Sequence, residues 1–162
     1  MSRSKGFSLI ELLVVVAIIL IIAGIAIPNL LRSRIAANEA SAVGSLRTIN
    51  TAQVTYVLTY PSIGYATSLT MLGPGAAACG TANSVNSCLI DNVLGCTGGG
   101  TCNKSGYSFS TNGTGSPVSY YSSGAAPIAA GKTGQRYFFS DSSGVIRYNQ
   151  TAQPGSADAP LQ

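Results

Sequence analysis

Gly6-Phe7-Ser8-Leu9-Ile10-Glu11-Leu12-Leu13-Val14-Val15-Val16-Ala17-Ile18-Ile19 is the stretch from which the rest of this chain is read. Ahead of it stands only Met1-Ser2-Arg3-Ser4-Lys5, basic and too short to fold. Behind it the apolar run continues to Ile27 and meets Pro28. Between Phe7 and Ile27 only Ser8 and Glu11 are strongly polar. As a helix rising about 1.5 Å per residue, the run spans ~30 Å, one hydrocarbon core. Glu11 is the anomaly. A carboxylate in lipid costs on the order of 2.5 to 3.5 kcal/mol even on the lenient insertion scale, so it calls for a cationic partner.

A cleaved secretory signal would have an apolar core of roughly 7 to 15 residues and a small-residue cleavage site directly after it. Here the run is longer, and the nearest A-x-A beyond it, Ala40-Ser41-Ala42, lies well past its end. A plain signal anchor explains the length but leaves Gly6-Phe7 and Glu11 as accidents.

A small basic leader, Gly6, Phe7 and then Glu11 four residues on closely resemble the class III signal sequence of type IV pilins and type II secretion pseudopilins. The resemblance covers about the first fifty residues closely and the remainder only in architecture. It implies that prepilin peptidase cuts after Gly6 on the cytoplasmic side and methylates the new amino group of Phe7. It also implies an α+β, pilin-like fold: one long N-terminal helix, transmembrane in its first half, packed by its second half on a small antiparallel sheet.

Cleavage would create a cationic amine at Phe7, and Glu11 can face such an amine from its own chain or from the next subunit. Two charges that are costly apart can then pair in a low-dielectric bundle; the resemblance implies the pairing between subunits. Pro28 cannot donate to the carbonyl of Gly24, so a kink or local melting is expected there. In the family such a proline is common, which makes Glu11 and Pro28 the candidate assembly residues.

The chain of 162 residues has room for one domain besides the apolar segment. Its formal charge is +4, and losing Arg3 and Lys5 with the leader leaves +2. The remaining cations are scattered, which argues against a nucleic-acid site. Arg32, Arg34 and Arg47 read as a solvated or subunit-facing helix surface. Because Arg3 and Lys5 flank one end of the span and Arg32 and Arg34 the other, charge alone leaves orientation open. A cytoplasmic N-terminus would deliver the cysteines to an oxidising compartment.

The expected organisation is a leader at 1–6, a transmembrane and polymerisation helix at 7–28, and an amphipathic second half at 29–60. A cysteine-containing loop at 61–104, a sheet at 105–149 and a flexible, exposed tail at 150–162 follow. Ile35, Ala42, Leu46, Ile49, Gln53, Tyr56 and Tyr60 recur at three- and four-residue steps, with Val43 and Val57 beside them, so that face should bury. Tyr60-Pro61 ends the helix. A short helix is expected at Tyr65 to Leu72, broken by Gly73-Pro74-Gly75.

Cys79, Cys88, Cys96 and Cys102 allow three pairings if all are oxidised. Cys79 with Cys88 and Cys96 with Cys102 close the shorter loops, the second around Gly98-Gly99-Gly100, and are preferred without being required. Zinc is disfavoured, since there is neither a C-x-x-C pair nor a histidine.

Four strands are expected: Tyr107 to Ser110, Val118 to Ser122, Arg136 to Ser140 and Val145 to Tyr148, with Asp141-Ser142-Ser143-Gly144 as a hairpin connection. Their apolar side would come from Phe109, Tyr120, Phe138 and Val145. Pseudopilins often bind calcium near this region, which makes Asp141 and Asp158 weak calcium candidates; two acidic residues are few for such a cage. Asn103-Lys104-Ser105, Asn112-Gly113-Thr114 and Asn149-Gln150-Thr151 fit a glycosylation sequon.

Catalysis finds little support: there is no histidine, only five carboxylates far apart in sequence, and no lysine after the glycine run. No cofactor is expected. The resemblance therefore implies a structural subunit, a major pilin of a type IV pilus-like filament. The alternatives are a pseudopilin of a type II secretion system or a minor pilin for adhesion or DNA uptake. Its implied partners are identical or homologous pilin subunits, prepilin peptidase, an inner-membrane assembly platform and the membrane itself. It would be inserted in the bacterial inner membrane as a precursor and then extracted into an extracellular pilus, or into a periplasmic pseudopilus in the alternative.

Overall fold

The computed structural model describes residues 7–75, 79–96 and 102–161; the leader, with Gly6, and the Gly98-Gly99-Gly100 loop lie outside the described residues. Helix α1 runs Leu9–Thr59 and passes through Pro28 without a break in its assignment, so no local melting is seen there. The chain divides into two compact units, one up to Arg34 and the other from Ile35 onward.

The first unit is the apolar part of α1, exposed along nearly its whole length. A helix that is hydrophobic all round cannot be stable against water and needs lipid or other helices.

The second unit, the head, is α+β. The second half of α1 buries Glu39, Ala42, Val43, Ser45, Leu46, Ile49, Ala52, Gln53 and Tyr56. The expected face is the one that packs; Glu39, Ser45 and Ala52 are additions to it. Helix α2, Leu69–Leu72, is shorter than the segment expected from Tyr65, because Ser68 in an extended conformation caps it by accepting from the Met71 amide.

The sheet has five strands in the order β1 (Cys102–Lys104), β2 (Tyr107–Gly115), β3 (Val118–Pro127), β4 (Tyr137–Asp141) and β5 (Ile146–Asn149), each antiparallel to the next. Strand β1 extends the sheet into what the sequence assigned to the cysteine loop. Its turn into β2 is Ser105-Gly106, both at positive φ (49° and 75°), the two-residue geometry that matches strand twist.

Cross-strand register explains the core. Cys102, Phe109, Ala125, Phe138 and Tyr148 are successive partners across all five strands. Together with Ala42, Leu46, Ile49 and Tyr56 of α1 they form one hydrophobic cluster. The next buried row is polar: Thr111, Ser123 and Ser140 pair across β2, β3 and β4.

Two of the four residues expected on the apolar side face outward instead, Tyr120 (39% exposed) and Val145 (38%). Their neighbours Tyr121 and Ile146 are buried. Side chains alternate along a strand, so a one-residue error exchanges the faces. Here the register shift between Thr114 and Gly115 reset the count in the β2–β3 hairpin.

The tail is coil and exposed at most of its positions, and it has an attachment that the sequence did not indicate. Expected as an exposed coil, it lies along the free edge of β5: Tyr148 donates to the Ala159 carbonyl (3.1 Å) and Leu161 to that of Ile146 (2.8 Å), with a bridge between Arg147 and Pro160. Gln153 Nε2 donates to the Phe138 carbonyl at 2.9 Å. The free backbone groups of an edge strand explain this, since they need partners.

Candidate functional site

The site begins where α1 begins. Phe7 is 81% exposed, and with Ile10, Glu11, Val14 and Val15 it lines a shallow, mostly apolar groove. The Ser8 amide donates to Glu11 Oε2 at 3.0 Å, and the Leu12 amide to the Ser8 carbonyl at 3.3 Å. Glu11 thus caps the first turn of its own helix, where the positive end of the helix dipole favours a carboxylate. In the uncleaved chain the Phe7 nitrogen is a peptide amide rather than the amine that sequence reasoning set against Glu11. Beyond this turn the side chains from Leu12 to Leu31 present a continuous aliphatic surface broken only by small residues, Pro28 and Asn29. Within α1 an 18-residue window qualifies by length and composition as a membrane span, and none of it is buried.

The family profile described as the prokaryotic N-terminal methylation motif matches residues 1–27. Over 54 residues the chain is 44% identical to the type IV major pilin protein PilA of Myxococcus xanthus, covering 33% of this chain and 24% of that one. Over 39 residues it is 59% identical to the type IV wide pilus major component PilA4 of Thermus thermophilus, covering 24% of this chain and 30% of that one. The N-terminal segment carries this methylation motif and is similar to the corresponding part of type IV major pilins. This chain spans only about a quarter to a third of the length of these curated relatives. No solved structure gives a significant match.

The pilin-type segment carries a head whose own ties run between helix and sheet. Glu39, buried, accepts from the amides of Gln135 (2.8 Å) and Arg136 (3.2 Å) through Oε1 and from Arg136 Nε (2.7 Å) through Oε2. The guanidinium also lies over Phe138 and Tyr148, 5.4 and 5.5 Å from the ring centroids. Tyr107 Oη donates to the Arg136 carbonyl at 2.8 Å, and burial first, then the Glu39 charge, push that phenol well above its usual range. Only glycine fits at Gly134, since a Cβ there would collide with the Tyr107 ring.

Gln53, fully buried, treats Ala66 as a strand would. Its Nε2 donates to the Ala66 carbonyl (3.0 Å) and its Oε1 accepts from the Ala66 amide (2.9 Å). The same Nε2 reaches Thr111 Oγ1 at 3.4 Å, where the polar row begins. At the other end of that row Asn50 Nδ2 donates to Ser140 Oγ at 2.7 Å, and Asn50 Oδ1 accepts from Tyr121 Oη at 3.2 Å. Sequence reasoning placed Gln53 on the buried face without a role and passed over Glu39. The signal for Glu39 was its spacing, four residues after Ile35 and three before Ala42 on the same face.

The cysteines form two bridges, Cys79–Cys88 and Cys96–Cys102, with Cα atoms 5.8 and 5.4 Å apart. They hold the segment between α2 and β1, which is docked by the Ser87 amide on the Met71 carbonyl (2.8 Å) and the Leu89 amide on that of Leu72 (2.7 Å). Asp91 is pushed up by burial, but Lys104 (2.8 Å) and the amides of Leu94 and Val93 outweigh this and hold it below the ordinary carboxylate range.

The calcium candidates are both committed to local turns. Asp141 Oδ1 accepts from the Ser143 amide and hydroxyl. Asp158 accepts from the Gly155 amide (2.8 Å) and Asn149 Nδ2 (2.9 Å), bonds that lower its pKa. Among the described residues no three His, Cys, Asp or Glu side chains come together as a metal site.

Proposed function

We propose that this protein is a structural subunit, a major pilin of a type IV pilus-like filament. It is made as a precursor anchored in the bacterial inner membrane, cut by prepilin peptidase between Gly6 and Phe7, and methylated on Phe7. The observation that carries this reading is the methylation motif at residues 1–27, joined without interruption to an unburied apolar helix. The two relatives bearing major-component names support the choice of a major subunit.

Lipid would cover the apolar surface in the precursor, and helices of identical or homologous subunits would cover it in the fibre. At roughly 25 cal/mol per Å² of apolar area withdrawn, a side chain the size of leucine contributes about 2 kcal/mol against water, so some twenty such residues bind strongly. Glu11 would exchange its own helix cap for the methylated amine of a neighbour, keeping the carboxylate paired throughout. The head would form the fibre surface, and motion would be supplied by the assembly platform.

Mass spectrometry and electron microscopy of fibres sheared from the native cells test this. The expected result is abundant chain that begins at methylated Phe7 and lacks two hydrogens for each disulfide. A processed chain confined to the membrane fraction would favour the pseudopilin or minor-pilin role, and an unprocessed Met1 start would overturn the filament reading.

A further inference from the structure

Strand β5 is the last of the sheet, and the chain itself covers its outer edge. Tyr148 donates to the Ala159 carbonyl at 3.1 Å and Leu161 to the Ile146 carbonyl at 2.8 Å, on either side of an antiparallel bridge between Arg147 and Pro160. In such a pair alternate residues turn their backbone groups toward the neighbour and away from it. Ala159 and Leu161 bond to β5, so the backbone of Pro160 between them faces outward. Proline has no N–H, and the new rim of the sheet therefore lacks a donor at its centre.

Anchors behind that rim hold the segment in place. Asp158 accepts from the Gly155 amide (2.8 Å) and from Asn149 Nδ2 (2.9 Å), and its carbonyl accepts from Arg147 Nη1 (2.9 Å). Gln153 Nε2 donates to the Phe138 carbonyl at 2.9 Å and lies where a side chain at position 124 would stand, a place that Gly124 leaves open. Pro154 is buried, and Leu161 packs against the hydrophobic core. These ties fix a mostly exposed segment along one strand and close its edge.

An open edge strand is a template for another chain. Without the tail, the Tyr148 amide and the Ile146 carbonyl would stand unpaired on β5. The strand that suits this edge is a second copy of itself. Antiparallel pairing about a twofold axis at Tyr148 sets Tyr148 opposite the partner's Tyr148 and Arg147 opposite the partner's Asn149. The two arginines are then not face to face, where like charges would repel.

We propose that residues 152–161 are an edge cap that keeps β5 from pairing with β5 of a second copy of this chain. Every group involved lies in the head, so the cap works the same way whatever covers the apolar segment. Where heads are crowded, it leaves side chains rather than strand edges to meet.

Two variants of the full chain, purified in detergent beside the wild type, test this. One ends at Thr151. The other, Asp158→Ala with Leu161→Pro, keeps the tail but removes its carboxylate anchor and the Leu161 donor. Light scattering reads the number of copies, and hydrogen exchange reads the Tyr148 amide. In dilute solution that amide should exchange about tenfold faster in both variants than in wild type, the effect of losing one backbone bond. As concentration rises it should regain protection while paired copies appear, at a concentration about tenfold below any pairing of the wild type, the effect of a few backbone bonds between strands.

Variants that keep the wild-type mass at every concentration overturn the edge cap. So does pairing that leaves the Tyr148 amide in fast exchange, because the contact then lies elsewhere. An amide as slow in the dilute variants as in wild type also overturns it, since the tail would not be what covers the edge. Circular dichroism and intact disulfides identify a misfolded variant; if the truncated chain does not fold, the chain with Asp158→Ala and Leu161→Pro decides.

Discussion

Arg136 Nε donates to Glu39 Oε2 at 2.7 Å, and this pair joins the first buried turn of the helix to the entry of β4. The carboxylate is 8% exposed and the guanidinium 35%, so the loss of either partner strands the other in a partly dry place. Glu39→Ala should lower stability by about 2 to 4 kcal/mol, less than a fully buried pair would because Arg136 keeps some water. Thermal unfolding of the detergent-solubilised protein measures it; an unchanged midpoint would show that the clamp contributes nothing.

Gln53→Leu keeps the volume of the helix face but leaves the amide and carbonyl of Ala66 without their partners. A loss of about 2 to 4 kcal/mol is expected from two unsatisfied buried groups. Gln53→Glu should be intermediate, since it can still accept from Ala66. Denaturant midpoints of the two variants, ranked against wild type, check the order.

Replacing Cys88 or Cys96 by serine opens one short loop each. By the chain-entropy estimate each costs about 2 to 3 kcal/mol. Reductant should shift the wild-type midpoint downward and leave a variant lacking all four cysteines unmoved.

Stability should fall at both ends of the pH scale. Asp91 and Asp158 have lowered pKa values, so their contribution is present above the ordinary value of 3.8 and is lost as pH drops below it. Tyr121 moves the other way: burial, then Tyr65 and Asp141, raise it from 10.0 to about 12. Its contribution is therefore complete below pH 10 and lost on the way to about 12. Phenolate absorbance that rises together with the loss of β-sheet signal would confirm the alkaline limb.

Glu11→Leu removes a helix cap and the only carboxylate of the apolar segment. Membrane insertion should be preserved and the yield of sheared filaments should drop at least tenfold, on the order of one lost charge pair in a dry bundle. Filament yield equal to wild type would rule out a role for Glu11 in assembly.

Much of this architecture was legible in the chain. The period of Ala42, Leu46, Ile49, Gln53 and Tyr56 identified the packed helix face, and loop length favoured the cysteine pairing that forms. The errors share one cause. Tyr120 and Val145 were turned to the wrong face, and β1 and the attachment of the tail to β5 were missed, and each depends on what pairs with a strand rather than on the strand itself.

The sequence alone determined the N-terminal segment, because its reading needs only neighbours in the chain: a basic leader, a Gly-Phe junction, one glutamate, and apolar residues enough to span a bilayer. Tertiary structure decided the rest of the head. Whether Glu39 finds Arg136, whether Gln53 finds Ala66, and which hydroxyls line up across β2, β3 and β4 depend on register between distant segments. Buried polar groups must be satisfied by partners that local sequence does not name.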